Sequence, residues 1–243
     1  MSYQLDFVPV GTMVVPGPEV FWMKHFNESF DLRLWIAVIR GEDRIILVNT
    51  GCSSKTADMY GMDDVTAQGG ISLLNRLGVQ EDEVTDIVIT PFQAYAIGQI
   101  DHFPNATIHL SRRGWIDFHA PKRRNHPHDS RYQCIPEDIL KYLVVDAWER
   151  VHLLDDEDII SPGVNVFWTG GHHRSSVAVC VETQKGLAIL SDAMFYLENI
   201  TDMIPIGISE SLEESLTAYE RIRKEAAFIL PLYDPRCPTI YEK

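Results

Sequence analysis

Five short loops, each following an apolar run, restrict the folds open to this chain more than any other feature. They are Asn49-Thr50-Gly51-Cys52, Thr90-Pro91-Phe92-Gln93-Ala94-Tyr95-Ala96, Thr169-Gly170-Gly171-His172-His173, Ser191-Asp192-Ala193 and Pro231-Leu232-Tyr233-Asp234-Pro235. Loops at strand ends are where α/β scaffolds present functional groups, and the glycines beside His172 permit close backbone approach. The β-branched, turn-bounded runs read as strands at Val8 to Val15, Leu34 to Ile39, Ile45 to Val48, Ile87 to Thr90, Thr107 to Leu110, Val164 to Trp168, Val177 to Val181, Leu187 to Leu190 and Phe228 to Leu230. Gly41-Glu42-Asp43 has the composition of a hairpin turn between two of them. Helix spacing appears at Ile71, Leu74 and Leu77, between Pro136 and Trp148, and at Leu212, Leu216, Tyr219 and Ile222 behind a Ser211-to-Glu214 capping box. Two sections, each with strands first and a helix afterwards, predict an α/β sandwich of two sheets with helices outside. No low-complexity linker interrupts the chain, so a single domain over 1–243 is expected, with 112–148 as an inserted cap or loop-helix region.

Composition removes several classes of function. Asp and Glu total 35 against 21 Lys and Arg, a formal net charge of -14 that repels phosphate backbones and anionic membrane surfaces. Nucleic acid and membrane partners are therefore not expected, and no apolar run reaches spanning length. The N-terminus lacks the basic and apolar regions of a signal peptide. Cys52, Cys134, Cys180 and Cys237 are spaced neither as a zinc knuckle nor as a disulfide framework, which suggests a reduced, cytoplasmic setting.

The loop series resembles the metallo-β-lactamase superfamily and is most similar to its N-acyl homoserine lactonase group, over nearly the whole chain. In that family a strand ending Asp-Thr-Gly is followed by Thr-His-x-His-x-Asp-His, then Gly-His, then Gly-Asp-Ala, then a strand ending Pro-Gly-His. Read in register, Leu47-Val48-Asn49-Thr50-Gly51, the segment Ile87 to Ala96, Gly171-His172, Ser191-Asp192-Ala193 and the segment Ile229 to Pro235 take those places. The resemblance implies a four-layer αβ/βα sandwich.

The ligand positions depart from the pattern. Where the family has His, His, Asp and His, this chain has Pro91, Gln93, Tyr95 and Ala96, and where the last His belongs it has Tyr233. A catalytic zinc takes about three protein ligands and an open position for water. His172 and Asp192 are too few, Pro91 and Ala96 offer no side-chain donor, and Gln93 and neutral Tyr are poor donors beside imidazole. Asn49 stands where the resemblance implies an outer carboxylate that tunes a ligating imidazole. The expectation is a pocket with no metal, no cofactor and no dinuclear site.

Within the resemblance, His172 and Asp192 pair as a water-activating base, and Tyr95 and Tyr233 supply hydroxyls to an oxyanion or leaving group. Gln93, Phe195, Tyr196 and His173 line the place of a small-molecule substrate. The leading expectation is hydrolysis of a small ester, lactone or amide without zinc. Two alternatives stay open: a non-catalytic relative that binds a small ligand or a partner, and a hydrolase with a single relocated metal on His172, Asp192 and either His173 or His102. The structural alternative is that the polar residues bond one another and fill the old metal cavity. Assembly as a homodimer is likewise left open. His126-Pro127-His128-Asp129 reads as a solvated loop. Arg112, Arg113, Lys122, Arg123 and Arg124 read as a cap surface with ion pairs to local acids. Cys52 reads as a small packed thiol, and the excess acidic charge is expected on the surface, with Asp192 alone held inside.

Overall fold

In the computed structural model the chain is described over residues 2–63, 71–120 and 135–242. Two sheets face each other, one with strands in the order β1-β2-β3-β4-β5-β6 and one in the order β11-β10-β9-β8-β7. The first comprises β1 (Gln4–Pro16), β2 (Ser29–Arg40), β3 (Ile45–Val48), β4 (Asp86–Val88), β5 (Thr107–Ser111) and β6 (Val151–Leu154). The second comprises β7 (Glu157–Ser161), β8 (Val164–Trp168), β9 (Val177–Thr183), β10 (Gly186–Ser191) and β11 (Phe228–Pro231).

Side-chain alternation along the strands sorts the core into layers. Ile46, Val48 and Val88 point from the first sheet to meet Val164, Val166, Val179, Val181 and Leu190 of the second. Their neighbours Leu47, Ile87 and Ile108 point the other way, onto Ile97, Phe103 and Leu143. On the far face of the second sheet, Phe167, Ala178, Cys180 and Ile189 pack under Tyr219 and Ile222 of the helix Leu212–Glu225. The result is helices, sheet, sheet, helix, the four-layer sandwich that the resemblance implies.

Strand direction then places the functional loops. The strands β3, β4, β5 and β6 run parallel, so the turns after β3 and β4 emerge at one edge of their sheet. In the second sheet β10 is parallel to β11, and β8 shares their direction because both β8 and β10 are antiparallel to β9. All five loops therefore open at the same end of the sandwich.

Several local expectations change in detail. The helix between Pro136 and Trp148 is Glu137–Lys141 continued by a π turn over Tyr142–Asp146 and a 3₁₀ turn at Trp148–Arg150. Ser211 caps its helix, accepting from the Glu214 backbone N–H at 3.3 Å, but the Glu214 carboxylate accepts from Gly171 N–H at 3.1 Å instead of closing a reciprocal box. The strands β6 and β7 lie in a stretch whose mixed polarity hides them, since only Leu154 of the first and Ile160 and Ser161 of the second are buried. Lys122, Arg123, Arg124, His126, His128 and Asp129 lie outside the described residues, as does Cys134.

Candidate active site

The site begins with a sheet-to-sheet tie at Thr90. Asn49, at φ 67°, occupies the left-handed region that Asn tolerates better than most residues. Its side chain brackets Thr90, with Oδ1 accepting from Thr90 N–H and Nδ2 donating to Thr90 C=O, both at 2.8 Å. An aspartate there could accept but not donate. Thr90 Oγ1 crosses to the second sheet, accepting from Val177 N–H at 2.9 Å and donating to Asp192 through a short hydrogen bond. Ser175 Oγ accepts from Phe92 N–H at 2.8 Å, pinning the same loop one turn further on.

Asp192 has no solvent exposure. Besides Thr90 it accepts from Ser176 Oγ at 2.6 Å and pairs with His172 Nδ1 at 2.9 Å. Burial pushes its carboxyl up, but the hydrogen bonds from His172, Ser176 and Thr90 and the imidazole's attraction outweigh that, leaving it below the usual carboxylate range. The pair is therefore an ionised carboxylate beside a neutral imidazole. Burial, aided by His173, pushes His172 down to about 4 against the pull of Asp192. A neutral imidazole that donates Nδ1–H to Asp192 has its lone pair on Nε2.

The backbone that delivers His172 depends on Gly170 and Gly171, at φ 55° and 71°. A Cβ on Gly171 would stand 2.5 Å from Ser215 Oγ, so the loop and helix Leu212–Glu225 meet only because it is glycine. The turn also folds His173 back onto His172, with ring centroids 4.2 Å apart, where adjacent side chains of an extended chain would point to opposite sides.

An aromatic wall surrounds the imidazole. Phe195 lies edge-on to His172 at 4.9 Å and to Tyr233 at 5.0 Å, while Tyr95 meets Tyr233 at 6.3 Å. Tyr233 is 4% exposed, and its hydroxyl has no partner at hydrogen-bonding geometry. Burial, followed by the charges of Tyr95 and Asp192 and a hydrogen-bonding contact with Tyr95, pushes its pKa well above the ordinary value, so it is a neutral phenol whose O–H lies beside Tyr95.

The fold thus brings His172, His173, Asp192, Tyr95, Tyr233 and Phe195 together, with Gln93 beside Tyr95 at the start of the short helix Ala94–Ile97. Two residues fall elsewhere. Tyr196 turns outward, its hydroxyl donating to Asp31 C=O at 2.7 Å and its ring packed on Phe21 and Phe30. His102 lies on a separate 740 Å³ cleft lined also by Lys55, Gln99 and Glu137. Arg112 and Arg113 are committed to Asp155 and Asp156, which accounts for them as cap-surface ion pairs. Cys52 is a packed thiol, pushed up to about 12 by burial.

Sequence reasoning missed Ser176, Ser175 and the bridging role of Thr90. The clue was the Ser175-Ser176 pair opening the apolar run of β9, where a hydroxyl has no reason to be unless it meets a buried partner. It also missed that Asp192 is not the one buried carboxylate: Asp234, unexposed, accepts from Leu197 N–H and Arg236, and Asp86 is 3% exposed.

The donors around His172 can be compared with what a metal needs. Pro91 and Ala96 have none to offer, and the oxygens of Asp192 are occupied by Thr90, Ser176 and His172. Among the described residues, no group of three or more His, Cys, Asp and Glu is arranged to hold an ion.

No family model matches the chain. Curated relatives do. The N-acyl homoserine lactonase of Bacillus cereus is 23% identical over 235 residues, covering 91% of this chain and 87% of the relative. A probable metallo-hydrolase of Mycobacterium tuberculosis is 24% identical, covering 84% of this chain and 71% of its own length. Among solved structures, a quorum-quenching N-acyl homoserine lactone lactonase superposes with a TM-score of 0.78 at 20% identity, covering 97% of this chain and 94% of the other. The dizinc quorum-quenching lactonase AidC superposes with a TM-score of 0.73 at 16% identity, covering 97% and 89%.

Proposed function

We propose that the chain, which resembles N-acyl homoserine lactonases over most of its length and shares their fold, is a metallo-β-lactamase-type hydrolase acting without the dinuclear centre on a small uncharged ester, lactone or amide. The observation that carries this reading is a neutral His172 held by an ionised Asp192 next to a buried phenol, Tyr233, whose hydroxyl makes no hydrogen bond of full geometry and has Tyr95 beside it. A water placed against His172 Nε2 would lose its proton to the imidazole as its oxygen bonds to the substrate carbonyl carbon. Asp192 stabilises the resulting imidazolium, and Tyr233 O–H donates to the oxyanion of the tetrahedral intermediate. Nε2–H then protonates the leaving alkoxide or amine as the scissile bond breaks, restoring the neutral pair. Tyr95, against Tyr233, and Gln93 orient the acyl group, and Phe195 excludes water from one side.

The donor set does not fit the family's two metals, so no step is routed through them. Asn49 agrees with that reading: its amide spans a peptide unit, a structural task that needs an N–H and no charge. The Arg174 guanidinium near the pocket is already engaged by Glu214, and His173 faces Glu210, which favours uncharged substrates over carboxylates or phosphates.

A second reading rests on the burial of His172, 4% exposed: the same cluster can serve as the floor of a non-catalytic ligand pocket. A panel of esters, lactones and amides assayed in EDTA, on the parent chain and on His172→Ala and Asp192→Asn, separates the two. Chelator-resistant turnover lost in both variants supports the hydrolase. Binding without turnover supports the second reading, and turnover abolished by EDTA sinks the metal-free mechanism.

A further inference from the structure

A second polar cluster lies between β4, β5 and β6 of the first sheet and β7 of the second, made of side chains that the strand-end site does not use. Its centre is a register pair of adjacent parallel strands, His109 on β5 and His152 on β6. Their Nδ1 atoms face each other at 3.1 Å. Each ring turns its other nitrogen to a carboxylate, His109 Nε2 to Asp86 at 2.9 Å and His152 Nε2 to Asp158 at 3.7 Å. Asp86 is held in turn by Arg44 at 2.9 Å and by Thr85 Oγ1 at 2.8 Å. His109 and Asp86 are inside, with 5% side-chain exposure each, while the His152 side chain is 46% exposed.

Hydrogen-bond bookkeeping decides what the pair can hold. Burial pushes the Asp86 carboxyl up, but the hydrogen bonds from His109 and Thr85 and the charge of Arg44 outweigh it, so the carboxylate is ionised and only accepts. His109 must then donate Nε2–H to it, and in the neutral imidazole that leaves a bare lone pair on Nδ1. That lone pair meets His152 Nδ1 at the half-exposed end of the cluster. Two imidazole nitrogens bound to one zinc at about 2.0–2.1 Å stand roughly 3.4 Å apart at the tetrahedral angle and about 2.9 Å apart at a right angle. The observed 3.1 Å lies between those two bites. A carboxylate behind each imidazole is the arrangement that sets tautomer and orientation in histidine metal sites.

We propose that His109 and His152 form a two-histidine pincer for one divalent transition-metal ion of borderline softness, such as Cu²⁺, Ni²⁺ or Zn²⁺, with water completing the coordination on the exposed side. On binding, the proton between the two Nδ1 atoms moves through solvent to His152 Nε2, where Asp158 faces it, and the ion takes both lone pairs. Nothing in this site depends on the chemistry proposed for His172, so either can hold without the other.

The test is a Cu²⁺ titration of the full chain, read by electron paramagnetic resonance for nitrogen hyperfine structure, in parallel with thermal denaturation. One equivalent bound through two nitrogens is expected, with Kd at least tenfold weaker in His152→Ala and within twofold of the parent in His172→Ala. His152→Ala is the primary variant because that side chain is half exposed and its loss leaves the sheet core intact; His109→Gln provides a second arm. Affinity unchanged in His152→Ala overturns the proposal, as does loss of binding in His172→Ala, which would move the ion to the strand-end pocket. A pair that only hydrogen-bonds would show no stoichiometric uptake, and that too overturns it.

Discussion

Tyr233 and Asp192 are both buried polar groups, yet they differ in one respect that function turns on: Asp192 is saturated and Tyr233 is not. A buried hydroxyl left without a partner costs on the order of 1–3 kcal/mol. Tyr233→Phe removes that cost and keeps the ring contacts with Phe195 and His172, so denaturation should show it as stable as the parent or up to about 1 kcal/mol more stable. On any substrate the chain turns over, kcat should fall at least tenfold in the same variant. A large loss of stability would mean the hydroxyl has a structural partner. The His172–Asp192 pair carries a pH dependence of definite sign. With His172 pushed down to about 4 from an ordinary 6.5, the unfolded chain binds the extra proton in that interval and the folded chain does not. Its stabilising contribution is thus fully present above about pH 6.5 and lost as pH falls toward 4, by on the order of 3 kcal/mol. The lowered Asp192 acts in the same direction, its contribution disappearing as pH falls through its folded value. Urea midpoints measured between pH 4 and 7 should fall with acid in the parent chain and less steeply in His172→Gln.

At the scale of elements, the loop after β4 is held by side chains from three others: Asn49 after β3, Ser175 before β9 and Asp192 after β10. Asn49→Asp keeps size and loses the donor, placing a carboxylate oxygen against Thr90 C=O. It should destabilise by about 1–3 kcal/mol, with no recovery on adding Zn²⁺; recovery with zinc would show that the loop still answers to a metal. The helix Leu212–Glu225 offers a calibration, since Ser211→Ala removes an N-cap and should cost about 1 kcal/mol. Elements of this kind were partly legible beforehand. β3 coincides with an unbroken apolar run because a strand buried on both faces needs one, and β8 with a run broken only by the exposed Asn165. β6 and β7 were not legible, because edge strands carry His152, Asp158 and other polar residues on the open face.

Across the whole molecule, the net charge of -14 is not all surface charge. Asp86, Asp192 and Asp234 are buried in three separate hydrogen-bonded clusters. Chelation provides the global test of the metal-free reading: dialysis against EDTA should leave both melting temperature and hydrolysis of any identified substrate unchanged. Loss of either would return the strand-end pocket to metal chemistry.

The sequence by itself determined the layered architecture, because apolar alternation, turn residues and strand order leave few ways to bury both sheet faces. Its resemblance to the lactonase pattern supplied the expectation that Pro91, Ala96 and Tyr233 take ligand positions, since the side chains at aligned positions are read without coordinates. Only the tertiary structure decided which polar atoms are satisfied. That Thr90 and Ser176 complete Asp192, that Tyr233 is left over, that Tyr196 turns away and that His109 meets His152 all depend on distances of about 3 Å between residues dozens of positions apart in the chain. Hydrogen bonding is decided at that range, and periodicity along a sequence does not resolve it.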